Sequence, residues 1–250
     1  MKAKLRRNAR GELEIERFSP FRRLEHWVAA FCFIALIVTG FPQKLDDWTI
    51  GHWLVSAMGG LDNTRWIHRV IGLVFCGQAA VHVAGFAWGA FTGKLRMALV
   101  PTLQDARDAK GMLDYYLGRR KTAPPMPKFD YRQKFEYMGM ILGGVVMIVS
   151  GLALMYPVLV AAWVPGFLLP VARVLHSSEA VLALSVLVVW HVYGASLSPD
   201  IFPFDKSMLT GYQAVSDLKH HHRREYDAVF GADGEPEAEE PSRGSHAAHR

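Results

Sequence analysis

The chain has 250 residues, of which 51% are apolar and only 20% charged, with a net charge of +5 and a positive mean hydropathy. The charges are segregated: no Asp, Glu, Lys or Arg occurs from Trp27 to Gln43, Val70 to Gly93, Tyr137 to Ala172 or Ala180 to Pro199. Runs of about 18 or more such residues read as membrane spans, which excludes a soluble globular domain; basic residues beside apolar runs point to membrane orientation and not to nucleic acid. The two cysteines, Cys32 and Cys76, both lie inside apolar runs. With no CxxC or CxxCH, there is no thiolate zinc site, no cluster cradle and no covalent haem attachment.

In chain order, a basic cytoplasmic arm over residues 1–25 holds eight Lys/Arg. Span one follows over 26–42 and is expected to stop at Pro42. A loop with a short apolar stretch, Trp48 to Met58, leads to span two over 67–91. The long hydrophilic connection from Lys94 to Lys134 contains an amphipathic helical pattern, Leu103 to Leu117, and a Pro-rich linker. Span three covers 135–156. Pro157, Pro165 and Pro170 interrupt the next apolar stretch, and span four covers 171–197. The tail, 200–250, is first basic and then acidic and rich in small residues, with a composition that favours disorder at its end.

The arm, the three loops and the tail carry 8, 2, 10, 0 and 6 Lys/Arg respectively. Positive flanks stay in the cytoplasm. The expected fold class is therefore an all-α integral membrane protein, a four-transmembrane-helix bundle with both termini cytoplasmic. The expected location is a membrane, taken as the bacterial inner membrane on the resemblance described below.

Five histidines lie in or at the ends of the spans: His26, His68, His82, His176 and His191. Ionisable groups at such positions are costly and usually functional. The topology puts His68 and His176 near the outer surface and His26, His82 and His191 near the inner one. His176 and His191 are 15 residues apart, roughly 22 Å along a helix and within about 60° of one face. His68 and His82 are 14 apart, roughly 21 Å and within about 40°. One imidazole per helix at a shared depth suits two stacked haems with bis-histidine iron. The outer site pairs His68 with His176. The inner site pairs His191 with either His26 or His82. Gly72 and Ala180, one turn from His68 and His176, leave room for a porphyrin, and Arg22, Arg23, Arg69 and Arg173 are candidate propionate partners.

Several spaced motifs, from Phe18 to Tyr226, carry a family resemblance. They are RLEHW with an apolar run ending in TG, RWIHRVIG, KFDYRQK with an apolar run ending in SG, VLHSSEAVLALSVLVVWHVY, and KHHHRREY. In this order they resemble the di-haem cytochrome b (gamma) subunit of membrane-bound respiratory formate dehydrogenases. The resemblance implies two haem b groups, with His26 and His191 as inner axial ligands and His68 and His176 as outer ones. It leaves His82 as the alternative inner ligand. The family spacing between the span-four ligands is 14 residues, against 15 here. The resemblance further implies a quinone pocket at the start of span three, where Gln133 and Lys134 match the family motif, Asp130 replaces an amide and Arg132 a glycine. Glu179, inside span four, is a further ionisable group with no counterpart in that pattern.

The implied function is membrane anchoring and electron transfer. Electrons would pass from an iron-sulfur electron-transfer subunit and a catalytic oxidoreductase subunit on the periplasmic side to menaquinone or ubiquinone near the cytoplasmic face. Related b-type subunits serve hydrogenases, thiosulfate or tetrathionate reductases and multihaem complexes. A reading from a different class is a haem-free polytopic transporter that uses the histidines for packing or proton transfer.

Overall fold

The computed structural model describes residues 4–45, 47–93, 98–199 and 201–231. The acidic end of the tail, where disorder is expected, lies outside the described residues. The chain divides into two compact units. One comprises Met1–Pro20, Pro101–Tyr131 and Lys206–Arg250; the other comprises Phe21–Val100 and Arg132–Asp205.

The second unit is the membrane domain. Its long helices are α1 (Pro20–Lys44), α3 (Leu61–Phe91), α5 (Tyr131–Met155) and α7 (Leu168–Val186), the last continuing as a π-helical segment, Leu187–Leu197. These four are long and apolar enough to cross a membrane. Short helices α2 (Thr49–Ala57) and α6 (Pro157–Ala161) lie in the connections after α1 and α5. Large apolar side chains along the long helices face outward, with Phe31, Trp88, Val149 and Val189 each more than three-fifths exposed. Water would not tolerate that much open apolar surface, and lipid does.

Side-chain pairs show that neighbouring helices run antiparallel. Thr39, late in α1, meets His68, early in α3; Glu25, early in α1, meets His82, late in α3. Ser150, late in α5, meets His176, early in α7, and Glu136, early in α5, meets His191 in the π segment. His26, early in α1, also faces His191, and Lys44, at the end of α1, reaches the Ser177 carbonyl early in α7, so the bundle is up-down-up-down.

Helix ends extend past the charge-free runs. Pro20 opens α1, where a missing N–H costs nothing. α1 also runs through Pro42 to Lys44 and does not stop at the proline, because within the last turn a proline removes little of the hydrogen-bond ladder. Gly59 and Gly60, with φ of 87° and 99°, make the turn into α3.

The first unit is a small assembly of the arm, the middle connection and the tail. β1 (Leu5–Arg7) and β2 (Leu13–Glu16) form a hairpin with Leu5 opposite Ile15. β3 (Tyr212–Ala214) pairs antiparallel with β2, Ile15 opposite Gln213. Ile15, Val215, Leu218 and Tyr226 form its core, with Leu5, Leu13 and Phe230 packed on it. α4 (Leu103–Tyr116) starts at Thr102, whose N–H and hydroxyl both bond Asp105. The tail adds α8 (Ser207–Thr210), α9 (Val215–His221) and α10 (Arg223–Phe230). Buried Arg17 donates to Gln213 Oε1 and to the Lys128 carbonyl, both at 2.8 Å. Arg224 forms a two-pronged bond to Asp108 at 2.9 and 3.0 Å. The arm and the tail, marked by composition as basic flanks, share one hydrophobic core, and the middle connection is tied to them through Lys128 and Asp108.

Candidate functional site

The membrane bundle brings two pairs of imidazoles face to face. His26 of α1 and His191 of the π segment have ring centres 6.1 Å apart, tilted by 34°. His68 of α3 and His176 of α7 have ring centres 6.3 Å apart, at 81°. A metal–imidazole bond of about 2.0 Å and a ring radius of roughly 1.1 Å separate two centres by roughly 6.2 Å when one metal lies between them. Rotation about that axis leaves the angle between the rings free. Both pairs therefore have the separation at which a single iron can bridge them.

Three of these four rings are held through Nδ1. His68 Nδ1 bonds Thr39 Oγ at 2.8 Å, and His176 Nδ1 bonds Ser150 Oγ at 3.0 Å. His191 Nδ1 bonds Glu136 Oε1 at 2.6 Å. Fixing Nδ1 sets the ring's orientation and leaves Nε2 for a metal. His26 is the exception: its Nδ1 is buried and has no hydrogen-bond partner among the described residues. A buried polar atom of this kind calls for an explanation, and a bound group is one.

Two glycines lie against the His68–His176 pair. A Cβ on Gly40 would sit 3.0 Å from His68 Cε1, and one on Gly151 would sit 3.1 Å from His176 Cε1. Gly40 follows Thr39, and Gly151 follows Ser150. On α1 and on α5 the same two-residue device recurs: a hydroxyl holds an imidazole from the next helix, and a glycine admits its ring. The TG and SG motifs were visible in the sequence as run endings, but nothing local assigned them this role. Their spacing of one helix length from a ligand-bearing helix was the available signal. At Gly72, by contrast, an added Cβ would meet nothing within 4 Å, so open space adjoins His68 there.

His82 stands apart from both pairs. Its Nδ1 lies 3.2 Å from Glu25 Oε1 and its Nε2 lies 3.0 Å from the Tyr137 hydroxyl. Glu25 in turn accepts from Arg22 at 2.7 Å. With both nitrogens engaged, His82 is not turned toward His191 as His26 is. Glu25 and Glu136 escaped the sequence reading, although both are ionisable groups adjoining a span histidine or a span start.

Of the remaining candidates, Asp130 is buried and lies just before α5, Lys134 is buried in the first turn of α5, and Gln133 beside it is exposed. All three engage neighbours. Arg69 and Arg173 are exposed next to His68 and His176. Glu179 rests against α5 at Gly143, where a Cβ would run into its carboxylate.

His191 lies within the π-helical segment. π turns advance the chain by less angle per residue than α turns, and they cluster at functional sites. The face on which His191 points therefore differs from the one a uniform helix would give over 15 residues.

A membrane bundle whose helices hold imidazoles opposite each other at two levels has the architecture of integral-membrane b-type cytochromes. Residues 17–211 match the family described as prokaryotic cytochrome b561, and the chain belongs to that family. It is similar to the formate dehydrogenase cytochrome b556(fdo) subunit of Escherichia coli (strain K12), 25% identical over 218 residues that cover 86% of this chain and 93% of that protein. It is also similar to the formate dehydrogenase cytochrome b556 subunit of Haemophilus influenzae, 24% identical over 82% of this chain and 79% of the relative. As a cytochrome b, the protein is a membrane electron-transport protein that uses haem b. Membership removes the haem-free transporter from consideration.

Proposed function

We propose that this chain is the membrane-anchoring, di-haem subunit of a formate dehydrogenase-type complex, carrying electrons across the membrane to a quinone. The two imidazole pairs at 6.1 and 6.3 Å support this most directly. His26 and His191 would hold the inner haem, and His68 and His176 the outer one. Bis-imidazole iron has both axial positions filled, so it supplies one-electron transfer without binding substrate.

The protein's own groups do the rest. Thr39, Ser150 and Glu136 fix the tautomers of three ligands. Gly40 and Gly151 set how close the outer imidazoles approach their neighbours. The apolar outer faces keep the bundle in lipid, insulated from water. The Lys/Arg asymmetry supports cytoplasmic termini; the His68 level would then lie on the periplasmic side, where an iron-sulfur subunit and a catalytic subunit would dock. The quinone would bind near the cytoplasmic face, at the start of α5, with Gln133 and Lys134 as hydrogen-bond donors and Asp130 on the chain segment leading into it. A quinone reduced there takes protons from the cytoplasm while electrons arrive from outside, so turnover charges the membrane without a pump.

A pyridine haemochrome assay on the purified chain tests the reading. Two non-covalent b haems per chain are expected, extractable with acid acetone, and the reduced complex should be reoxidised by added quinone. One haem or none, or indifference to every quinone, overturns it.

A further inference from the structure

Neither imidazole pair uses the cluster of Arg22, Glu25, His82 and Tyr137. We propose that His82 and Tyr137 deliver a proton to the quinone, His82 storing it and the Tyr137 hydroxyl passing it on. This rests on the reading that a quinone is reduced at the start of α5, and it assigns that site two further residues.

The hydrogen bonds define the resting state. A carboxylate only accepts, so His82 Nδ1–H donates to Glu25 at 3.2 Å. In the neutral ring Nε2 is then an acceptor, and the bond to Tyr137 at 3.0 Å is donated by the phenol. In this state the single phenolic proton points at His82 and is not available to a ligand. Protonation of His82 reverses that bond: Nε2–H now donates to the phenolic oxygen, and the phenolic proton turns away from the imidazole. Glu25, itself held by Arg22 at 2.7 Å, is the counter-charge that makes a cationic His82 tolerable inside the bundle.

A quinone held at Gln133 would lie within the reach of this proton, since Tyr137 lies four residues after Gln133, one turn further along the same face of α5. The side chains of His82 and Arg22 are 26% and 47% exposed, and Arg22 lies in the first turn of α1, at the end of the span, so a proton from the cytoplasm would enter there. Among the described residues, the charged and titratable groups bonded to His82 or to its partners are Glu25, backed by Arg22, on α1 and Tyr137 on α5.

The step balances. Reduction of the quinone takes two electrons, supplied by the oxidoreductase partner, and two protons. For one of these protons, the Tyr137 O–H bond breaks as a quinol O–H forms. The His82 Nε2–H bond then breaks as the Tyr137 O–H re-forms. What remains is neutral His82 accepting from Tyr137, which is the arrangement observed. The other quinone oxygen takes its proton from water.

A cluster that only clamped α1, α3 and α5 together would behave differently in two variants. Tyr137→Phe keeps the ring and removes the proton. His82→Gln keeps a donor and an acceptor but cannot hold charge. In the whole complex, reduced with dithionite and mixed with a short-chain quinone, both variants should reoxidise about 100-fold more slowly, the usual scale of one general acid. Reoxidation by ferricyanide, which takes an electron without a proton, should be unchanged, as should haem content and the KM for quinone.

Three results overturn the proposal: quinone rates within about threefold of wild type, loss of a haem in His82→Gln, or a raised KM with unchanged kcat. If the wild-type complex itself ignores every quinone while ferricyanide oxidises it, the underlying reading fails, and the proton route fails with it.

Discussion

Replacing Gly40 by alanine separates the fold from the haem proposed between His68 and His176. In an α-helix alanine is better than glycine by up to about 1 kcal/mol, so α1 itself should be stabilised. The added methyl, however, would lie 3.0 Å from His68 Cε1, whereas carbon atoms prefer roughly 3.5–4.0 Å. The ring must retreat by about 0.5 Å, more than the ~0.2 Å that metal–ligand bonds tolerate. It must also stretch or break the 2.8 Å bond to Thr39. Disturbing such a supporting contact typically costs about 10–100-fold in metal affinity. Gly151→Ala, on a different helix, should do the same through His176. The assay is the reduced alpha band together with the haem titre after mild detergent washing. Both variants should lose or weaken one and the same spectral component, with helical content unchanged. Two full haems with wild-type midpoint potentials in both variants would refute the packing argument.

The remaining predictions concern ligands, supports and the first unit. His68→Ala and His176→Ala should remove one haem, and His26→Ala and His191→Ala the other, while His82→Ala should leave both; the haem titre decides. Glu136→Gln should raise the midpoint potential of the haem on the His191 side by up to about 40 mV, the one-electron equivalent of about 1 kcal/mol, read by potentiometry. His222, with Nδ1 2.7 Å from the Pro127 carbonyl, is pushed down to about 4, chiefly by burial and also by Arg17. The unfolded chain takes up this proton first, so the first unit should lose stability as pH falls from about 6.5 toward 4. The loss should be about 1–2 kcal/mol after screening of a partly exposed ring, and His222→Gln should abolish that part of the pH dependence of thermal unfolding.

The four spans were legible because hydropathy and charge segregation report directly on lipid exposure. Helix ends were less so: Arg22, Arg23 and Glu25 lie within α1, since a helix can leave the hydrocarbon without ending. The first unit was not legible. Its three strands are three or four residues long, and β2 pairs with β3 almost 200 positions away, a distance over which local pattern carries no information. Imidazoles at two depths could be read from spacing, but not their partners. Thr39, Ser150 and Glu136 each come from a neighbouring helix, and only the packed bundle reveals which side chain reaches which ring. The π segment was also hidden, because no residue type marks it as proline marks a kink.

The two imidazole levels differ in how their rings are supported, and that difference sets an electronic asymmetry. In the His68–His176 pair both Nδ1 atoms bond neutral hydroxyls, Thr39 and Ser150. In the His26–His191 pair His191 bonds a carboxylate at 2.6 Å, the short distance of a charge-assisted bond. A carboxylate draws the Nδ1 proton toward itself and makes the ring a more basic ligand. A more basic ligand stabilises ferric over ferrous iron, so under the proposed ligation Glu136 should lower the potential of the haem on the His191 side. Glutamine keeps the bond but removes the charge, which is why Glu136→Gln, and not Glu136→Ala, isolates the effect. Glu136 precedes Tyr137 in the chain, so one turn of α5 meets both His191 and His82. A complex in which Glu136→Gln shifted neither potential would show that the carboxylate orients His191 without altering its donor strength.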